Sequence, residues 1–417
     1  MDFEATLNYA RLLDQEDPLK KFQSEFHIPQ KNGSPVRYFT GNSLGLQPKS
    51  AKKYIEEELE SWKDLAVDAH FEGIRPWFHY HKFSKEGLCK LTGSKPVEVV
   101  ALGNLSTNLH LLLVSFYQPT TNKHKILMEA GAFPSDQYIV ETQVKFHGFD
   151  PNDSIIELKP RAGNDTLETS DILDSIEQNK DEIALVLLSG VQYYTGQFFD
   201  IPSISKHCKK FSIPFGLDLA HAIGNVPLNL HDDEVDFAVW CSYKYLNSGA
   251  GNTSGIFVHE RHAYSNIRRF GGWWGHNEDS RFLMEKGFKP MDGADGWQLS
   301  NVNVISTSVF LASLDIFDRA GIENLRKKSI KLTGFLYFLI SSIQKIRSIT
   351  PDSPNERGCQ LSLVIESGIG KQIFNSLMND GLVVDWREPD VIRIAPVPLY
   401  NSFEDVFILS EALKDNL

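Results

Sequence analysis

The stretch Ala238–Val258, AVWCSYKYLNSGAGNTSGIFV, decides how the rest of the chain is read. An apolar run ends at Lys244, small polar residues follow, and a second apolar run, GIFV, begins after a short loop. A strand covered by helices on both faces has little use for an ammonium group, so Lys244 is expected just past a strand end. There it is either solvated or placed to react. The second run, reached through so short a loop, is expected to return as an antiparallel strand.

Working outward, short apolar runs alternate with helical ones. Upstream, VEVVAL, HKILME, SIIELKP, IALVLLS, IPFGLDLA and VDFAVWCS read as strands, and GIFVH makes the seventh. NLHLLLVSFY, FPSDQYIVETQVKFHG, TSDILDSIEQN and IPSISKHCKKF read as the helices between them. Short buried strands separated by helices predict an α/β fold with a mainly parallel sheet covered on both faces. Beyond about Ser308 the texture changes. SVFLASLDIFDRAGIENLRKKSIKLTGFLYFLISSI reads as a helix, LSLVIE and VIRIAPVP as strands, and a closing helix starts at Phe403. The expected division is a large domain over 40–308 and a smaller α+β domain over 1–39 and 309–417.

Composition narrows the function classes. The 417 residues carry 54 acidic and 42 basic side chains, a net charge of -12, which argues against nucleic acid as a partner. No window approaches the ~20 apolar residues that a membrane-spanning helix needs. The start, MDFEATLNYARLLDQEDPLKKF, is charged and amphipathic rather than signal-like, and a cytoplasmic location is expected. Cys89, Cys208, Cys241 and Cys359 show no metal-like spacing and are expected to be reduced thiols.

In open α/β sheets ligands bind beyond the carboxyl ends of the strands, so polar residues there carry the functional information. ALGNLSTNLH puts Ser106 and Thr107 where a strand gives way to a helix, which suits an anion such as phosphate or an ordinary helix cap. EAGAFPSDQY offers Phe133, Ser135 and Asp136: a ring to stack on a flat ligand and a carboxylate to accept a hydrogen bond, or a capped helix with a packed ring. PFGLDLAHAIG offers Asp218 and His221, and an aspartate buried there is costly unless a cation or a loop N–H meets it. Lys244 completes the set, because a lysine stripped of water beside other cationic groups becomes a nucleophile. A phosphate cradle, a stacking ring, a carboxylate for a ring nitrogen and a reactive lysine together are what pyridoxal phosphate requires. The glycine fingerprint of a dinucleotide fold, G-x-G-x-x-G after the first strand, is missing.

Taken in order, YFTGNSLGLQP, AFPSDQY, LDLAHAIGN, CSYKYLNSGAG, GWWGH, LSNVN and IRIAPVPLYNSF resemble the signature segments of the kynureninases. The resemblance runs from about Tyr38 to Phe403, and GNSLGLQP with GWWGH is its most specific part. It implies fold type I, with a mainly parallel seven-stranded sheet in the large domain. It also implies pyridoxal 5'-phosphate as cofactor and hydrolysis of L-kynurenine or 3-hydroxy-L-kynurenine to anthranilate or its 3-hydroxy form and L-alanine. By motif, Lys244 would be the Schiff-base lysine, Asp218 the partner of the pyridine nitrogen, and Tyr243 a phosphate ligand with a part in proton transfer. Phe133 would stack, with Ser135, Asp136 and His221 completing the pocket. The phosphate segment does not separate Leu105, Ser106 and Thr107. Trp273 and Asn301 would reach the cofactor across a homodimer interface, Arg393 would hold the substrate carboxylate, and Ser43 and His70 would stand near the aryl group. Asn301 and Trp274 would also meet substrate, although Trp274 stands where Phe is common and Val302 where Pro is common. Two other outcomes stay open: a different fold type I enzyme, such as an aminotransferase or a cysteine desulfurase using Cys359, or a non-catalytic cofactor-binding homologue.

Overall fold

The seven apolar runs pair into one sheet, in the order Val99–Ala101, Gly255–Val258, Phe237–Trp240, Phe215–Asp218, Ile183–Ser189, Lys125–Glu129, Ile155–Leu158. The structure is a computed structural model that describes residues 3–366 and 368–417. The last five strands in this order run parallel to one another. Gly255–Val258 is antiparallel to both its neighbours, as its short loop predicts. Register there is tightly held, because a Cβ on Gly255 would come within 2.5 Å of the Trp240 indole. The wide indole and the missing side chain fit only opposite each other.

Alternate residues of each strand feed two separate cores. Val186, Leu188, Leu217, Ala238 and Trp240 point to one side, while Leu185, Leu187, Val239 and Ile256 point to the other. This period of two, with both sides apolar, is why the strands read as continuous hydrophobic runs. Polar groups are therefore confined to strand ends, where the functional residues gather.

A third core joins the two chain ends. Ile346–Ser348, Leu361–Ile365, Val391–Ile394 and Asp385–Arg387 form an antiparallel sheet. Leu332 and Leu336 of the helix Ile322–Ser341, Leu409 of Phe403–Asp415 and Ala10 of Leu7–Gln15 pack on Leu363 and Ile394 of this sheet. The buried Asp14 carboxylate accepts the Phe403 and Glu404 N–H groups at 2.7 and 2.9 Å, so the first helix caps the last one. The long stretch read as one helix is two, Val304–Ala320 and Ile322–Ser341. Gly321, at φ 74°, turns the chain between them, a conformation that costs glycine little.

Candidate active site

Ser189 and Asp218 end two adjacent parallel strands, the loop carrying Lys244 follows the third, and all three line one cleft. Lys244 is 9% exposed, and its Nζ lies 3.0 Å from His221 Nε2. The ammonium also faces the rings of Phe133 and Tyr243, at 5.5 and 5.9 Å from their centroids. Burial and then the Lys244 charge push the His221 imidazole well below its usual range, so the ring is neutral. Its Nε2 accepts from the ammonium, and its buried Nδ1 meets no partner.

Three carboxyl groups crowd the same strand ends. Asp218 Oδ1 accepts the Ala220 N–H at 2.7 Å. Asp136 is equally buried, its Oδ1 has no partner, and burial followed by the Asp218 charge pushes its carboxyl well above the usual range. Glu129, bonded to the Ser189 hydroxyl and N–H, is pushed up to about 7 by burial. Among the described residues, Asp136 Oδ1 and His221 Nδ1 are thus the two buried polar atoms of the cleft that the protein leaves without a partner.

An anion end lies opposite. Ser106 Oγ and Ser135 Oγ meet at 2.9 Å, which brings together the starts of the helices Leu105–Phe116 and Pro134–Phe146. Two helix N-termini present free N–H groups and positive dipole ends to this point. Asn104 caps the first helix by accepting the Thr107 N–H at 3.1 Å. Leu105 and Ser106 consequently line the cleft, and Thr107 is not among its lining residues. Phe133, 41% exposed, forms one wall and meets Tyr193 edge-on at 5.2 Å. The half-buried Tyr243 phenol is pushed up by burial and the neighbouring Cys241, so it keeps its proton.

Arg393 arrives from the small sheet. Its guanidinium is 1% exposed and donates to the Tyr193 carbonyl at 2.7 Å and to Ser43 Oγ at 3.1 Å. Tyr193 thus ties the arginine to the cleft wall. The GNSLG segment is threaded between the two parts: Gly45 donates its N–H to the Tyr243 carbonyl at 2.8 Å. A Cβ at Gly45 would stand 2.3 Å from the Lys244 carbonyl, so only glycine allows this approach.

The structure does not bring Ser43, His70, Trp273, Trp274, Asn301 or Arg393 to the lining of this cleft; Arg393 and Ser43 lie behind its wall, joined to it through Tyr193. His70 Nδ1 bonds to the Val67 carbonyl at 3.0 Å, and its ring meets Trp77 edge-on. Trp274 is buried between Phe78 and the Arg281 guanidinium, while Trp273 and Asn301 are exposed. Conversely, Ser189, Val191, Tyr193 and Ala220 line the cleft without having been singled out in the sequence. Ser189 ends the run IALVLLS, so the strand-end rule could have found it. Tyr193 had no such local signal. Cys359 is fully buried and its thiol is pushed up to about 12 by burial, which removes the mobile nucleophile that a desulfurase would need.

Comparison with known proteins agrees with this geometry. Residues 325–413 match the family model described as the kynureninase C-terminal domain. A kynureninase from Flavobacterium psychrophilum is 50% identical over 100% of this chain and 99% of its own length. One from Myxococcus xanthus is 50% identical over 99% of this chain and 97% of its own. Among solved structures, a cysteine desulfurase from Escherichia coli superposes with a TM-score of 0.78 at 13% identity, covering 95% of this chain and 98% of its own. Another, from Thermococcus onnurineus, gives 0.76 at 17%, covering 95% of this chain and 98% of its own. These distant likenesses establish the fold type I architecture, and the full-length identity establishes the lineage: the chain belongs to the kynureninase family.

Proposed function

We propose that this chain is a pyridoxal-phosphate-dependent hydrolase that cleaves the carbon–carbon bond of L-kynurenine or 3-hydroxy-L-kynurenine. The products are anthranilate, or its 3-hydroxy form, and L-alanine, which suits tryptophan breakdown and supply of NAD precursors. One observation carries the reading: Lys244 Nζ sits 3.0 Å from His221 in a buried cleft, in a chain 50% identical to kynureninases over its whole length. The donor set fits the cofactor. The two helix starts at Ser106 and Ser135 suit its phosphate, the Phe133 face suits its ring, and the excess of buried carboxyl over ammonium suits a protonated ring nitrogen.

When bound, the cofactor supplies an aldehyde for amines and a ring that accepts electrons from the substrate's α-carbon. Lys244 Nζ would be the amine that anchors it and the base for the substrate's α-proton. Asp218, whose Oδ1 accepts the Ala220 N–H, would hold the cofactor's ring nitrogen in its protonated form. Arg393 would meet the substrate carboxylate with the N–H groups its protein partners leave free, the unpartnered Nε among them. Water enters at the substrate's γ-carbonyl, and the Tyr243 hydroxyl, kept neutral by burial, can pass a proton in the later steps.

A homodimer completes this proposal. Phe71, Phe282 and Trp273 are 64%, 56% and 46% exposed, and with Phe78 they form a continuous aromatic row that a second copy would cover. Trp273 and Asn301 would then serve the partner's cleft, with His70 and Trp274 in the walls around the aryl group. Among the described residues all four cysteines are free and no helix is long and apolar enough to cross a membrane, which suits a reducing cytoplasm. The proposed domain division at residues 40 and 308 is supported by the two main sheets, which lie within 99–258 and 346–394. The test is release of the aniline product from each kynurenine in parallel: no product from either overturns the reading. Sedimentation at micromolar protein tests the dimer, and a monomer would refute it.

A further inference from the structure

Asp385 and Arg393 stand directly opposite each other on adjacent antiparallel strands. One carboxylate oxygen, Asp385 Oδ2, collects donors from three side chains: Arg393 Nη2, the Ser43 hydroxyl and, at 3.2 Å, Arg387 Nη2. Ser43 Oγ is therefore the donor to Asp385 and the acceptor for Arg393 Nη2 at 3.1 Å. With Nη1 spent on the Tyr193 carbonyl, the terminal nitrogens of Arg393 are held from two sides. Its Nε is buried with no partner. Two arginines against one aspartate leave a single positive charge, which one ligand carboxylate would neutralise.

We infer that Asp385 is a positioning residue for carboxylate binding: it fixes the orientation of the Arg393 fork and of the Ser43 hydroxyl before substrate arrives. This rests on the proposed role of Arg393. A long guanidinium side chain loses rotamer freedom when it is immobilised. Where Asp385 has already immobilised it, the ligand does not bear that cost. A buried guanidinium without its aspartate would also reach for other acceptors, because an unpaired buried charge is unfavourable. The substrate carboxylate is attached to the α-carbon but keeps its charge and its partners from ground state to transition state, so the effect belongs to binding rather than to the chemical step.

The test uses the holoenzyme and two readouts: steady-state kinetics with L-kynurenine, and equilibrium titration with L-alanine, which carries the same carboxylate and needs no turnover. Asp385→Asn is expected to raise KM and the L-alanine Kd together by about tenfold, with kcat within about twofold. Binding of kynurenine's decarboxylated amine should be unchanged. Arg393→Gln should raise both constants further, and adding Asp385→Asn to it should have no added effect. Asp385→Glu, which keeps the charge but misplaces it, should move both constants in the same direction by a smaller factor, and it stands in if the asparagine variant does not fold. If Arg393→Gln raises both constants while both Asp385 variants leave them unchanged, the inference is wrong and the reading of Arg393 survives. If Arg393→Gln itself changes neither constant, that reading falls. An Asp385 effect that appears in kcat, or that adds to Arg393→Gln, also overturns the positioning role.

Discussion

Two buried carboxylates in this molecule have opposite surroundings. Glu58, 1% exposed, is saturated: Arg75 Nε at 2.6 Å and the Tyr80 hydroxyl at 2.7 Å meet one oxygen, and Trp77 Nε1 at 2.8 Å meets the other. Asp136, 6% exposed, keeps one oxygen without a partner and faces a second carboxylate, Asp218. Burial is the same for both. The difference is whether the fold supplies the donors. Glu58 organises the surrounding chain, whereas Asp136 is left to be completed by something that binds. Closure marks structure, and openness marks the site.

That contrast can be broken in several ways. The largest effect is expected at the open site: Lys244→Ala should lower turnover by at least about 10³-fold and abolish the visible absorbance of the loaded protein, with its melting temperature little changed. Retained absorbance with full turnover would show that Lys244 is not the anchor. At the closed site, Glu58→Gln replaces an oxygen acceptor with an amide donor facing three donors, while Arg75 keeps Glu57 at 2.8 Å, and a loss of about 2 kcal/mol in chemical denaturation is expected, with kcat retained. Asp136→Asn should do the reverse in the cofactor-free protein. It removes the cost of keeping a buried carboxyl protonated beside Asp218, so the melting temperature at neutral pH should rise by a few degrees while cofactor affinity falls. If both substitutions destabilise equally, the distinction between open and closed carboxylates fails.

The smallest effect is a pH slope. Glu129 is raised from an ordinary value of 4.5 to about 7 by burial, so between these pH values the native state holds a proton that the unfolded chain has lost. Its contribution to stability is complete below pH 4.5 and disappears as pH rises through about 7. Glu129→Gln in the cofactor-free protein should flatten the fall in melting temperature across that window. An unchanged slope would mean that Glu129 is ionised in the fold.

Much of this was legible in the sequence wherever the signal is local. Each of the seven strands sits within a contiguous apolar run, Asp218 ends one of them and Lys244 follows another, because strand period and strand end are properties of neighbouring residues. The single helix expected beyond Ser308 failed at Gly321, where apolar periodicity continues through a turn that only backbone dihedral angles reveal. Thr107 and Ser106 are adjacent and chemically alike, and only the Asn104 cap separates them. Ser43 lies 342 residues from Asp385 and 350 from Arg393, so no window of sequence contains that cluster. The sequence by itself determined the order of strands and helices and the chemistry of the lysine loop. Only the tertiary structure decided which distant groups share an oxygen, because pairing across two sheets depends on packing and not on spacing along the chain.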